Sequence, residues 1–158
     1  MNDMEEFDIG QVEIIPFTLK YLEDVREIHY PIMDGWSMKG IISDFANTST
    51  VSYIAVLGGR ALGFISYLLG DNAYMQFVCT HQMYRRRGIA TKLITQTIEG
   101  MPEQINSVVL EVRSRNEEAI NLYKKLGFAT LGTRKDIYTT PLDDALVMEY
   151  TKGVKDLD

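Results

Sequence analysis

The stretch from Ala73 to Ile98 leaves this chain few ways to fold. An apolar run, Ala73–Thr80, comes first; Met83-Tyr84-Arg85-Arg86-Arg87-Gly88 follows, and then Ile89, Leu93, Ile94 and Ile98 recur at helical spacing. The first part has the length of a strand, the last has the period of a helix packed on one face, and the glycine stands at the join. The order is therefore strand, loop, helix. Three arginines beside a helix N-terminus are electrostatically out of place. The helix dipole makes that end partly positive, and each cation there costs roughly 0.3–1 kcal/mol where an anion would gain it. An anionic guest removes the conflict. Backbone N–H groups at Gly88 to Thr91 suit a phosphate, the arginines add charge and forked donors, and Gly88 and Ala90 let the guest lie against the backbone.

The usual phosphate-loop patterns do not account for this anion site, since neither G-x-x-x-x-G-K-[ST] nor G-x-G-x-x-G occurs. Composition narrows the guest further. The formal net charge is −6, with 16 Lys and Arg against 22 Asp and Glu, which argues against a general nucleic-acid binder that works by neutralising phosphates. A local cluster of arginines on an acidic chain suits a small anionic ligand. With 158 residues and 46% hydrophobic ones, the chain is long enough for a real core. Its single cysteine, Cys79, allows no intrachain disulfide and points to a reducing compartment. The acidic start Met1-Asn2-Asp3-Met4-Glu5-Glu6 lacks the order of a signal peptide, and no apolar stretch reaches about 18 residues. A cytoplasmic protein with no membrane partner is expected.

Taken in order, Val12–Phe17 reads as a strand, and Thr18 can cap a helix to about His29, which Pro31 ends. Ser37 can cap a second helix to about Asn47. Val51–Leu57 and Ala61–Leu69 around Gly58-Gly59 carry a strong hairpin signal. Ala73–Thr80 is the next strand, a helix runs from about Gly88 to Gly100, and Ser107–Val112 is again a strand. Asn116 to Gly127 has nearly complete helix punctuation: Asn116 at the N-cap, Glu117 and Glu118 in the first turn, Lys124 and Lys125 in the last, and Gly127 at C′. Two more strands fall near Ala129–Tyr138 and Ala145–Tyr150. The pattern is that of a mixed α/β sheet with helices on both faces. Residues 1–10 and 153–158 read as flexible ends and 11–152 as one domain.

Several residues have an ordinary structural reading. Asn116 is needed as an N-cap. Tyr123 lies on the Ala119/Ile120 face, where core packing accounts for it, and Glu111 alternates with Leu110 and Val112 as an outward strand residue. Cys79 reads as a buried strand cysteine, not a nucleophile. His29 and His81 are too few and too isolated for a metal site, so no metal is expected.

Two stretches carry a resemblance that goes further. Arg85, Gly88 and Ala90 match the [QR]-x-x-G-x-[GA] pyrophosphate loop of the GNAT acetyltransferase superfamily. Leu110-Glu111-Val112-Arg113 through Asn116, Ala119-Ile120, Leu122-Tyr123 and Leu126-Gly127-Phe128 match the L-E-V-R-x-x-N-x-x-A-I-x-L-Y-x-x-L-G-F signature of RimI and archaeal Ard-type N-terminal acetyltransferases. Tyr84-Arg85-Arg86-Arg87-Gly88-Ile89 and Tyr30-Pro31-Ile32 resemble the cofactor loop and peptide-binding loop of the eukaryotic enzyme San, and Asp144-Ala145-Leu146-Val147-Met148 is similar to the family's closing strand. The resemblance covers roughly Val12 to Tyr150. It implies the GNAT fold, a twisted mixed β-sheet whose central parallel strands splay apart to admit acetyl-coenzyme A.

Carried over residue by residue, it implies that Val78, Cys79 and Thr80 offer backbone groups to the pantetheine arm. Arg85, Arg86, Arg87, Gly88, Ile89, Ala90 and Thr91 hold the pyrophosphate, and Asn116 and Tyr123 contact the cofactor. Glu111 and Tyr74 fall at catalytic positions, and Tyr123 near the thioester sulfur. Tyr30, Pro31, Ile32 and Tyr138 would line the acceptor site. One departure bears on the acceptor: the family's late Tyr-Tyr pair is here Ile137-Tyr138. The implied activity is acetyl transfer from acetyl-coenzyme A, without a metal, to N-termini of proteins or nascent peptides. A small-amine or polyamine acetyltransferase and a non-catalytic coenzyme A-binding module are the alternatives.

Overall fold

The computed structural model of the chain describes residues 6–29 and 38–153. In chain order it has β1 (Glu13–Pro16), α1 (Leu22–His29), α2 (Met38–Ala46), β2 (Thr50–Leu57), β3 (Arg60–Leu69), β4 (Ala73–Thr80) and α3 (Ile89–Glu99). Then come β5 (Ser107–Arg113), α4 (Glu117–Lys125), β6 (Ala129–Thr139) and β7 (Leu142–Thr151), with short 3-10 turns at Ile9–Gln11, Leu19–Tyr21 and Gln82–Tyr84. The seven strands are hydrogen-bonded in the order β1-β2-β3-β4-β5-β7-β6. β1 is antiparallel to β2, and β5 and β6 are antiparallel to β7. β4 runs parallel to β5, pairing Ala73 with Val108, Tyr74 with Val109 and Met75 with Leu110. This is the mixed sheet that the sequence predicts, with the strand–loop–helix unit at its middle. Among the described residues no helix is long and apolar enough to cross a membrane.

The chain divides into two compact units, residues 1–67 with 77–100, and residues 68–76 with 101–158. In the first, Phe17, Val25, Ile28, Ile54, Ala61, Phe64 and Cys79 form a buried cluster, and the rings of Phe17, Phe64 and Phe77 stack edge to face or tilted at 5.3 Å spacings. β3 is buried at seven consecutive positions, the mark of a strand covered on both faces. α3 is pressed close to it. A Cβ at Gly63 would stand 2.8 Å from Ile89 and 2.9 Å from Leu93, so only glycine permits the approach. A buried hydrogen bond between Tyr67 and Thr97, 2.6 Å, fixes the same helix further along.

Two expectations change here. Thr18 makes no side-chain cap; its carbonyl instead accepts the Tyr21 N–H, closing a 3-10 turn before α1. Residues 6–10, read as loose, include a held segment. Asp8 caps the turn at Ile9–Gln11, the Lys92 ammonium donates to the carbonyls of Ile9 and Val12, and Phe7 stacks against Tyr84. Charged and polar residues suggested disorder, but the turn satisfies its own backbone and a lysine from α3 takes its carbonyls. The expected cap Ser37 and the loop Tyr30-Pro31-Ile32 lie outside the described residues.

In the second unit β5 contributes Val108, Leu110 and Val112 to the core, joined by Phe128, Ala145 and Met148. α4 is punctuated as its sequence predicts: Asn116 Oδ1 accepts the Ala119 N–H at 3.1 Å, and Gly127 takes φ +104 just past the helix. β6 and β7 form a hairpin whose register shifts between Arg134 and Tyr138, where Asp136 adopts φ +57 and its N–H bonds Asp144 Oδ1 at 2.9 Å.

Candidate active site

In the first unit, the site begins where β4 ends. Val78 and Thr80 are half-buried, and Cys79 between them is buried. Burial pushes the Cys79 thiol up to about 12, against a weaker opposing pull from Arg85, so it stays protonated and inert, as a core cysteine should. The chain then turns tightly. His81 Nδ1 accepts the Met83 N–H at 3.1 Å, the His81 carbonyl accepts the Tyr84 N–H, and Tyr84 stacks on the His81 ring. Arg86 sits at φ +61, a left-handed conformation that costs a non-glycine residue energy, and Gly88 at φ +88. Arg87 lies over the Phe7 ring at 5.5 Å.

Gly88 is the N-cap of α3, so no side chain caps the helix, and no acidic residue lies in its first turn. The N-terminal end of α3 thus carries neither a side-chain cap nor an acidic residue, and Arg85, Arg86 and Arg87 precede it. Strained backbone, a missing side-chain cap and three consecutive arginines occur together at the predicted anion site.

In the second unit, parallel pairing places Tyr74 beside Val109, two residues before Glu111 on the same face. Tyr74 donates to Glu111 Oε1 at 3.3 Å. Burial, then the Glu111 charge and this hydrogen bond, push the Tyr74 phenol up to about 12. The phenol therefore remains a proton donor at neutral pH.

Sequence reasoning missed the third member. Arg134 of β6 donates from Nη1 to the same Glu111 Oε1 at 2.8 Å. The carboxylate side chain is 15% exposed and the guanidinium side chain 57%. Glu111 is thus not the solvated strand residue that its alternation with Leu110 and Val112 suggests.

The remaining candidates are set around this cluster or apart from it. The Arg113 guanidinium stacks over Tyr138 at 4.3 Å and donates to the carbonyls of Pro141 and Thr140 at 2.9 and 3.2 Å. Tyr138 is thereby fixed beside the β6–β7 turn. Tyr123 is 9% exposed and packs against Phe128, which packs in turn on Tyr150. Core packing accounts for most of its ring. Asn116 is exposed and spends its carbonyl oxygen on the cap, which leaves the amide NH₂ as the group able to meet a ligand.

Tyr74, Glu111 and Tyr138 are brought to one face, with Arg134 added. Tyr30, Pro31 and Ile32 fall outside the described residues.

Known proteins resemble this chain in sequence and in fold. Over 143 residues, 81% of this chain and 72% of the relative, the sequence is 28% identical to the N-alpha-acetyltransferase MAK3 of Arabidopsis thaliana. It is 28% identical over 143 residues, 89% of this chain and 94% of the relative, to the ribosomal protein bS18-alanine N-acetyltransferase of Escherichia coli K12. The crystal structure of Ard1 from Thermoplasma volcanium matches the fold with a TM-score of 0.80 at 25% identity, covering 90% of this chain and 98% of that one. The sequence pattern of the Acetyltransferase (GNAT) family matches residues 19–128, more than half of the chain, and the chain belongs to that family.

Proposed function

We propose that this chain is an N-alpha-acetyltransferase, which moves the acetyl group of acetyl-coenzyme A onto the free N-terminal amine of a protein or nascent peptide. The observation that carries the reading is the start of α3, where an uncapped helix N-terminus on a left-handed glycine follows three arginines. The names of the relatives support the acceptor class.

Arg85, Arg86, Arg87 and the backbone from Gly88 through Ile89 and Ala90 to Thr91 would hold the pyrophosphate. Val78, Cys79 and Thr80 would run beside the pantetheine arm, and Asn116 would add its amide. The coenzyme supplies an activated thioester. In the transfer, the amine nitrogen bonds the acyl carbon and the carbon–sulfur bond breaks. Glu111 takes the amine proton, directly or through a water, and Tyr123 returns one to the leaving thiolate. Tyr74 stays protonated and holds Glu111 in place.

The acceptor chemistry follows from acidity. A peptide α-amine has a reference pKa of about 7.7–8.0 and a lysine about 10.4. At pH 7 roughly a tenth of the first is neutral, against well under a thousandth of the second. A site whose base is a carboxylate suits the former. Tyr30, Pro31, Ile32 and Tyr138 would line the peptide's path. Polyamines fit less well: Glu111 is already paired with Arg134, and Arg113 adds a second cation on that face. The reaction would run in the cytoplasm, where nascent N-termini emerge.

The test is acetyl transfer to a panel of peptides that differ at their first two residues and carry one internal lysine, read by mass spectrometry. Acetylation at the α-amine is expected. Predominant lysine acetylation overturns the acceptor class, and a chain that binds the coenzyme but acetylates nothing, polyamines included, is a binding module.

A further inference from the structure

We propose that Arg134 is a specificity-determining residue that receives the carboxylate of an acidic side chain near the N-terminus of the acceptor. This rests on the N-terminal acetyltransferase reading above. Strand register shows how the residue comes to the site. Ala145 of β7 pairs with Arg113 of β5 on one side and with Arg134 of β6 on the other, and Glu111 lies two residues before Arg113 on the same face. Arg134 must therefore stretch across β7 to reach β5, a span of about 10 Å over two strand spacings. The small side chain of Ala145 lies at the crossing. The guanidinium arrives at the proposed base with one N–H and bonds Glu111 Oε1 at 2.8 Å.

The rest of that guanidinium is available. Its side chain is 57% exposed, and among the described residues its hydrogen bond goes to Glu111. A guanidinium carries five N–H donors in a planar fork that matches a carboxylate. Arg113, the other cation on this face, is differently placed, with its N–H groups on Thr140 and Pro141 and its plane on the Tyr138 ring.

An amine that comes to Glu111 for deprotonation thus brings the neighbouring side chains of its peptide within reach of Arg134. An acidic side chain gains a forked partner there, a neutral one gains nothing, and a basic one is repelled. The rival account is that Arg134 only holds the Glu111 rotamer. The two differ in what they predict: a rotamer lock affects every peptide alike, whereas a recognition residue affects them according to charge.

Three peptide series, with Glu, Gln or Lys at the second and third positions in an otherwise common sequence, separate them. Wild type, Arg134→Gln and Arg134→Glu are compared by kcat/KM for α-acetylation. For the wild type the expected order is Glu above Gln above Lys, by roughly three- to tenfold per step, carried in KM and weakened by salt. Arg134→Gln should flatten the order and Arg134→Glu invert it, whatever either does to the common rate. A wild type without charge order, or an order that survives both substitutions, overturns the proposal while leaving the acetyltransferase reading intact. Absence of α-acetylation on every peptide removes that reading, and this inference with it.

Discussion

Glu111 concentrates two donors on one oxygen, since the Tyr74 phenol and the Arg134 guanidinium both bond Oε1. Neither of these donors uses Oε2, which suits a carboxylate that would act as a base through its second oxygen. General-base assistance is worth roughly 10²–10⁴-fold, and an α-amine already partly neutral should show the low end. Glu111→Gln should therefore lower kcat by about 10²-fold near pH 7, with a deficit that shrinks as pH rises through the amine's own titration near 7.7–8.0. A deficit that stays constant across that range would mean that Glu111 positions the peptide and takes no proton. Tyr74→Phe should cost less, with a deficit that shrinks over the same range, because Tyr74 acts through Glu111 and a phenol pushed up to about 12 adds no ionisation of its own there. These residues differ in how legible they are. Glu111 and Tyr74 stand out through the likeness of their neighbours to a known signature, since alternation alone makes Glu111 an exposed strand residue. Arg134 carries no local signal at all: its partner lies 23 residues away on a strand with which β6 does not pair, and only the register across β7 joins them.

At the scale of elements, α4 and the start of α3 read very differently from sequence. The N-cap, charges and C′ glycine of α4 are all local, and all appear in the structure where the pattern puts them. The start of α3 stands out because local rules fail there: arginines occupy the wrong end of the dipole and glycine replaces a capping side chain. Conflict of that kind marks a site that a ligand completes. The conformations at Arg86 and Gly88 were not legible, since nothing in the residue types fixes which position turns left-handed. They govern the choice of variant. A bulky residue at Gly88 would confuse strain with obstruction, because φ +88 penalises any side chain. Ala90 lies inside the helix and half-buried, so leucine is tolerated there by the backbone. Ala90→Leu should leave the melting temperature near that of the wild type and weaken acetyl-coenzyme A, measured by calorimetry, by roughly tenfold or more, equivalent to about 1.4 kcal/mol. Unchanged affinity would place the anion elsewhere.

For the whole molecule, the sheet was readable where its connections are short or its helices well marked: the Gly58-Gly59 hairpin, and the passage from β4 through α3 to β5 that makes the parallel pair. The insertion of β7 between β5 and β6 was not readable, because chain order gives no hint that the last strand lies inside the last hairpin's partner. That insertion has a consequence for stability. Asp143, at the start of β7, is buried and grips the loop after β5: Ser114 Oγ donates to Oδ1 at 2.7 Å, Arg115 N–H to Oδ2 at 3.3 Å, and Asp144 N–H to Oδ1 at 2.8 Å. The hydroxyl bond from Ser114 chiefly, with the two backbone donors and the Arg115 charge, holds this carboxyl below its ordinary value, although burial opposes them. A carboxyl with a depressed folded pKa stabilises the fold fully above its unfolded value, about 3.9, and that contribution fades as pH falls through the folded value. In Asp143→Asn an amide NH₂ replaces one acceptor and meets a donor, whether it faces Arg115 or Ser114. The variant should melt a few degrees lower at neutral pH, and its deficit should close as both proteins are acidified below pH of about 3.9. Melting curves of both proteins across that range check the point: a deficit that persists unchanged at the lowest pH at which both still fold would mean that packing, and not the charge of Asp143, holds the β5–α4 loop to β7.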